Sequence, residues 1–102
     1  MQTYLIAYDV ADNNIRLKAA RLILRAGGFR VQKSVFVGTF TAARYQRLLA
    51  DLQTQQARPR WQPADSILLL PLHQYTRNHL VTLGQEPPDW PLIYRDLVCL
   101  VV

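Results

Sequence analysis

The segment Thr3-Tyr4-Leu5-Ile6-Ala7-Tyr8-Asp9 is a mainly apolar run that ends in a carboxylate. Its aromatic and β-branched content predicts a strand. A charged group where a buried strand meets a loop is costly unless a cation meets it, and Arg16, Lys18 and Arg30 are nearby in sequence. The segment therefore directs attention to metal or phosphate chemistry at Asp9. A carboxylate that only forms a turn or caps a helix is the alternative.

An amphipathic helix is predicted directly after this strand. Asp12, Asn13 and Asn14 offer N-caps, and Gly27-Gly28 ends the segment. Apolar residues recur at helical spacing: Ile15, Ala19, Leu22, Ile23 and Ala26. The other side of the helix is wholly basic and carries Arg16, Lys18, Arg21 and Arg25.

The rest of the chain reads as strands around a second helix. Residues 29–40 are long for one strand and predict two, but only Gly38 offers a turn signal, so the break is not placed. Thr41 is a plausible cap for the second helix, in which Arg47 and Asp51 form an exposed i, i+4 pair. Its buried stripe is Tyr45, Leu48, Leu49 and Leu52. A strand over residues 66–70, an irregular segment over 73–93 and a final strand over 97–102 follow.

This order predicts an α+β fold, the ferredoxin-like βαββαβ arrangement with an extra C-terminal strand. Residues 1–72 would form the core and residues 73–102 an extension, within a single domain. Both helices of this fold cover one face of the sheet, yet the first and fourth strands are apolar on both faces. A homodimer packed through the open face is the economical way to cover it. The final strand could then pair with a sheet edge of its own chain or of the partner.

Positive charge is concentrated in the first two-thirds of the chain. The 102 residues carry a formal charge of +5, but residues 1–62 hold ten Lys/Arg against three Asp/Glu. This distribution suits a polyanion such as nucleic acid, and a merely solubilising surface is the alternative. In the connector, Arg58 and Arg60 flank Trp61, a pattern suited to a backbone with stacked bases. The candidate nucleic-acid-binding residues are Arg16, Lys18, Arg21, Arg25, Arg30, Arg58 and Arg60.

Other features indicate a cytoplasmic protein with no membrane association. The single cysteine, Cys99, cannot form an internal disulfide, and the N-terminus does not have the pattern of a signal peptide. No apolar run approaches the length of a membrane span. His73 and His79 lack partners in metal-site register and are expected at the surface.

A dimer would change what Asp9 can do. If the twofold axis passes near the end of the first strand, two Asp9 carboxylates face each other and can share one Mg²⁺ ion. Such an ion can activate water and polarise a phosphoryl group, so no separate general base is strictly required.

Two sequence segments together resemble the CRISPR-associated Cas2 family. They are Tyr8-Asp9-Val10, with Asp12-Asn13 and Arg16 behind it, and the run from Arg30 to Gly38 (RVQKSVFVG). The resemblance implies a ferredoxin-like homodimer that works with the integrase Cas1 in spacer acquisition. It also implies a metal-dependent endonuclease on RNA or DNA, with the Asp of the first strand from each subunit holding magnesium.

Carried over onto this sequence, the family's functional pattern falls on Tyr8, Asp9, Arg16, Arg30, Ser34 and Phe36. The predicted catalytic residues are Asp9, Tyr8, Ser34 and Phe36, and Asp9 is also the predicted metal ligand. Lys18 departs from the pattern, because many relatives have Arg at this position. Lys keeps the charge but lacks the planar guanidinium that can donate two parallel hydrogen bonds to one phosphate.

Three functions stay open at this point. The first is a phosphodiesterase acting at the dimer axis, and the second is a non-catalytic nucleic-acid scaffold for the integrase. The third is a toxin-like ribonuclease of similar fold outside CRISPR immunity. An RNA-recognition-motif protein is disfavoured because no run of aromatic residues of that type lies on the strands.

Overall fold

The computed structural model describes residues 1–84 of the chain. The elements are β1 (Gln2–Asp9), α1 (Asn13–Arg25), β2 (Phe29–Gln32), β3 (Val35–Phe40), α2 (Ala42–Gln56), β4 (Ser66–Leu72) and α3 (Gln74–Asn78). Residues 85–102 are outside this range, and with them the predicted final strand. The short helix α3 lies in the segment expected to be irregular, and α2 and β4 each run slightly beyond the predicted ends.

One four-stranded sheet has the order β2-β3-β1-β4, and every neighbouring pair is antiparallel. This confirms the ferredoxin-like α+β fold. The strand β1 is central, since Ile6 pairs with Phe36 on one side and with Leu69 on the other. Successive side chains of β1 point to opposite faces of the sheet, so that Leu5 and Ile6 place apolar groups on both.

The segment 29–40 breaks at Lys33-Ser34, a two-residue turn between β2 and β3. The register shifts between Arg30 and Gln32, which marks a bulge next to the turn. Gly38 is not the break but lies inside β3. A Cβ atom there would lie 2.4 Å from the Phe40 ring and 3.0 Å from the Cα of Gly28, so glycine is needed for packing.

Both long helices are capped as predicted. The carboxylate of Asp12 accepts a hydrogen bond from the Ile15 N–H at 3.0 Å, and the Thr41 hydroxyl accepts one from the Arg44 N–H at 3.2 Å. Gly27 follows α1 with φ of +106°, a conformation that favours glycine. Each cap fixes the residue at which its helix begins.

The main core lies between the sheet and the helices α1 and α2. Ile15, Ala19 and Ile23 of α1 are fully buried, whereas Leu22 and Ala26 of the predicted stripe are only partly buried. The same cluster contains Ile6, Tyr8, Phe36, Phe40, Leu48 and Leu52.

The other face of the sheet is apolar and is not covered by a helix within residues 1–84. Val37 and Leu72 are buried there among Leu5, Phe29 and Val31. On β4, Leu68 is 59% exposed and Leu70 is 48% exposed. We call this surface, defined by Leu5, Val37, Leu68, Leu70 and Leu72, the open face. None of the helices in the described part of the chain is long and apolar enough to cross a membrane.

Candidate functional site

Asp9 is the last residue of β1 and is exposed. It pairs in register with Ser66 of β4. Because side chains alternate along a strand, Asp9 is on the same side of the sheet as Leu5, at one end of the open face. Among residues 1–84, no hydrogen bond or ion pair engages its carboxylate, so Asp9 is available to a cation.

Tyr8 and Phe36 lie on the opposite, helix-covered side of the sheet. Tyr8 is 7% exposed, Phe36 is fully buried, and their ring centroids are 5.8 Å apart in a tilted arrangement. Both belong to the main core. The structure therefore does not bring these two predicted catalytic side chains together with Asp9, and the visible role of both rings is packing.

Ser34 contacts the end of the strand that carries Asp9, whereas Arg30 contacts the ring of Phe36 on β3. The Tyr8 N–H donates a hydrogen bond to the Ser34 carbonyl at 3.1 Å, which ties the β2–β3 turn to β1. The guanidinium of Arg30 lies 5.0 Å from the centroid of the Phe36 ring, within the range of a cation–π contact. Arg30 is exposed and still presents its charge to solvent.

Arg16 is largely committed to the loop after β1. Its Nη1 donates to the Val10 carbonyl at 3.0 Å, and its Nη2 donates to Oδ1 of Asn13. Binding of a phosphate by Arg16 would therefore use a guanidinium that already forms hydrogen bonds with this loop. Arg16 thus stabilises this loop as well as adding positive charge.

Asp65 joins two loops, and sequence reasoning did not single it out. Its Oδ1 accepts a hydrogen bond from the Ala11 N–H at 3.1 Å, and its Oδ2 accepts one from the Gln62 N–H at 2.8 Å. Nearby, Arg60 Nη1 lies 3.9 Å from Oδ1 of Asp12, and the Arg60 side chain is 80% exposed. Arg60 thus keeps most of its surface free for an anion.

Three of the predicted cations line one groove between the start of α1 and the end of α2. They are Lys18, Arg21 and Arg58, and Gln55 lies with them. The buried Gln55 side chain accepts a hydrogen bond from Arg58 Nη1 at 2.9 Å, which orients the guanidinium. The groove has a volume of about 410 Å³ and concentrates positive charge.

A second groove continues along the same two helices and is lined by Arg25, Arg44, Arg47 and Asp51. Arg44 and Arg47 were not among the predicted binding residues, although their i, i+3 spacing on a helix is a signal that sequence alone offers. The expected ion pair of Arg47 with Asp51 is not formed; the ion pair among residues 1–84 joins Arg60 and Asp12.

The two grooves together form a basic surface that we call the helix seam. It is defined by Lys18, Arg21, Arg25, Arg44, Arg47 and Arg58. The seam runs along α1 from Lys18 to Arg25 and along α2 in the opposite direction, from Arg58 to Arg44. At the Arg25 end, Arg44 Nη1 donates a hydrogen bond to the Ala26 carbonyl at 3.5 Å. Asp51 is the one carboxylate among the lining residues of both grooves. The seam lies on the helical layer, on the side of the molecule away from the open face.

Asp9 offers one carboxylate to a metal ion. The described residues contain no group of three or more His, Cys, Asp or Glu side chains that could hold a metal. Mg²⁺ is commonly bound through one or two carboxylates with waters and substrate phosphate oxygens completing the shell. An exposed and unengaged Asp9 fits such a shared site, and a second subunit would supply the second carboxylate.

The fold and these charges define a small, basic, ferredoxin-like domain with an exposed acid at one strand end. The chain belongs to the CRISPR-associated protein Cas2 family, whose model matches residues 1–79. This confirms the resemblance drawn from Tyr8-Asp9-Val10 and the run from Arg30 to Gly38.

Individual relatives agree with this membership. A CRISPR-associated endoribonuclease Cas2 of Korarchaeum cryptofilum is 36% identical over 55 residues, which are 54% of this chain and 59% of that protein. A CRISPR-associated endoribonuclease Cas2 of Synechocystis is 33% identical over 91 residues, which cover 89% of this chain and 94% of the relative. A chain of a partial Cas6-RT-Cas1–Cas2 complex superposes with a TM-score of 0.70 at 29% identity, covering 87% and 92% of the two chains.

Proposed function

We propose that this protein is a homodimeric nucleic-acid-binding scaffold of CRISPR adaptation that works with the integrase Cas1. The observation that carries the proposal is the helix seam, where six cations lie beside a single carboxylate. Lys and Arg in such an arrangement neutralise backbone phosphates without reading sequence. The similarity to a chain of a complex that contains Cas1 and Cas2 supports the choice of partner.

The homodimer is part of this proposal and uses the open face. On β4, Leu68 is 59% exposed and Leu70 is 48% exposed, next to the buried cluster of Val37 and Leu72. Leaving this apolar surface in contact with water is unfavourable. A second copy covers the face with the same residues, as a twofold interface requires. The two seams then lie on opposite outer sides of the dimer, where both remain free for nucleic acid.

We further propose that Asp9 of each subunit contributes to one shared Mg²⁺ site, which supports phosphodiester hydrolysis. The names of the curated relatives favour an endoribonuclease. A bound Mg²⁺ would supply an activated water and polarise the phosphoryl group. The chain's own contribution is to hold the Asp9 carboxylate at the end of β1, next to the loop that Arg16 and Asp65 fix. DNA and RNA remain alternative substrates, and a cytoplasmic location belongs to the same proposal.

One experiment compares four proteins in cells that carry the integrase and a repeat array. They are the wild type, Asp9→Ala, a seam variant with Lys18, Arg21 and Arg58 changed to Gln, and Gln46→Ala as a control at an exposed position outside both grooves. Spacer acquisition is counted by sequencing the array, and Mg²⁺-dependent cleavage is measured on the purified proteins, each shown to be dimeric. The proposal expects acquisition to fail in the seam variant and to persist in Asp9→Ala, whose cleavage is lost.

Three other outcomes would contradict parts of the proposal. Loss of acquisition in a dimeric Asp9→Ala protein would make catalysis, rather than scaffolding, the role in adaptation. Cleavage that persists in excess chelator would remove the metal. Growth inhibition by the wild type without any effect on acquisition would favour the toxin-like ribonuclease.

A further inference from the structure

Within residues 1–84, a groove without basic lining residues lies on the flank of the domain, separate from the helix seam. It is formed by the second half of α2, the connector after it and β4, and has a volume of about 340 Å³. The apolar lining residues are Leu49, Leu52, Trp61 and Leu69. The polar lining includes Gln53 and Gln56, both on α2. We call this cavity the Trp61 groove.

The polar groups of the Trp61 groove favour a planar, hydrogen-bonding ligand. Gln53 and Gln56 are exposed on α2. Asp65 also lines the groove, but both of its carboxylate oxygens already accept hydrogen bonds from Ala11 and Gln62. A flat ring stacked on the indole with its edge towards the amides would use both features, because Gln side chains pair with base edges. The volume lies near the lower end of the roughly 300–1,000 Å³ typical of small-molecule sites.

The connector that carries Trp61 also carries the charges that a nucleotide needs. The backbone N–H of Trp61 donates to the Arg58 carbonyl at 3.0 Å, so the two residues belong to one tight turn, while Gln55 holds the Arg58 guanidinium in the helix seam. Arg60 on the same turn is 80% exposed. The negative charge of Asp65 disfavours a phosphate inside the groove, whereas the exposed Arg60 of the connector favours a phosphate outside it.

We propose that the Trp61 groove binds one unstacked nucleobase from a single-stranded end of nucleic acid, with an adjoining phosphate on Arg60. This inference rests on the proposed nucleic-acid scaffold and adds a base-binding site to it. The apolar residues of the segment 97–102 are a rival occupant. They are disfavoured because aliphatic side chains would cover Gln53 and Gln56 without giving these amides partners.

The test uses the full chain with Trp90→Phe, which leaves Trp61 as the single tryptophan. Its fluorescence is titrated with a single-stranded adenine hexanucleotide and with an abasic hexanucleotide of equal charge, and the affinity for each dye-labelled oligonucleotide is measured by fluorescence anisotropy. The expected result is quenching of Trp61 by the base-bearing oligonucleotide and affinity at least about fivefold tighter than for the abasic one, as stacking of one base requires. A blunt-ended duplex should bind without quenching.

Variants separate base binding from folding. Trp61→Phe should keep most of the base preference, and Trp61→Ala should abolish it while leaving abasic affinity unchanged. Since Trp61 packs against the core, the double variant Gln53→Ala, Gln56→Ala provides a second test at exposed positions. It should reduce the preference at least about twofold, and Gln46→Ala, an exposed glutamine of α2 outside the groove, should not.

The outcomes distinguish this inference from the proposed scaffold. Equal affinity for base-bearing and abasic oligonucleotides, or an indole that does not respond to either, overturns the Trp61 groove as a base site and leaves the scaffold standing. An unresponsive indole is also the result expected if residues 97–102 fill the groove. Failure of both oligonucleotides to bind overturns the scaffold itself.

Discussion

The backbone N–H of Ala11 donates a hydrogen bond to Oδ1 of Asp65 at 3.1 Å. The second oxygen of the same carboxylate accepts from Gln62 at 2.8 Å. One acidic side chain thereby joins the loop that follows Asp9 to the connector that carries Arg58, Arg60 and Trp61. The candidate metal ligand and part of the candidate nucleic-acid surface are thus held in one unit.

Removing this carboxylate should destabilise the domain. Asp65→Ala leaves two backbone N–H groups without their partner, and we expect a loss of about 1–3 kcal/mol in the free energy of unfolding. Urea denaturation followed by circular dichroism measures it. Asp51→Ala, at an exposed position of α2, should change the stability by no more than about 0.5 kcal/mol. Equal effects of the two substitutions would show that the loop contact is not important for stability.

Charge placed on the open face should separate the proposed dimer. Leu68→Asp introduces a carboxylate that a packed apolar interface would have to bury, so we expect a monomer by analytical ultracentrifugation. The matched control is Leu17→Asp, because Leu17 is 53% exposed on α1 and Leu68 is 59% exposed on β4. A Leu68→Asp protein that sediments like the wild type would place the dimer interface elsewhere.

Stability should fall at alkaline pH because of Tyr45. Burial, and to a smaller degree the neighbouring Tyr4, raises the pKa of the Tyr45 phenol above its ordinary value of 10.0. The two rings stack with centroids 3.9 Å apart. A folded-state pKa above the unfolded one means that the contribution is complete below pH 10.0 and is lost as pH rises through the raised pKa. Thermal melts between pH 8 and pH 11 should show this decline, and Tyr45→Phe should make it shallower.

Local patterns were sufficient to predict the order of the elements from β1 to β4, but not the short helix α3. The caps Asp12 and Thr41 and the helical spacing from Ile15 onward place α1 and α2 directly, because each signal lies within a few residues of the structure it fixes. The break at Lys33-Ser34 was not placed, since the turn depends on a bulge and on the bond from Tyr8 to the Ser34 carbonyl, a contact across the sheet.

The candidate site was less predictable because it depends on which face each residue occupies. Asp9 was identified from its strand-end position and is indeed exposed. Tyr8 was predicted to act beside Asp9, although adjacent residues of one strand point to opposite faces, and it lies in the core. The linking role of Asp65 arises from a contact with Ala11, 54 residues away in sequence, which no local pattern records.

The central claim is that the helix seam binds nucleic acid through phosphates, and its most direct measurement is the salt dependence of affinity. Binding of a short DNA duplex is measured by fluorescence anisotropy between 50 and 300 mM NaCl for the wild type, the variant with Lys18, Arg21 and Arg58 changed to Gln, and Lys33→Gln as a control in the β2–β3 turn. We predict a steep linear fall of log K with log salt for the wild type. The slope should be shallower by about 2–3 in the seam variant, because each lost phosphate contact accounts for about 0.9, and by less than 1 in the control. A flat wild-type response, or the same slope in the wild type and the seam variant, would contradict the account.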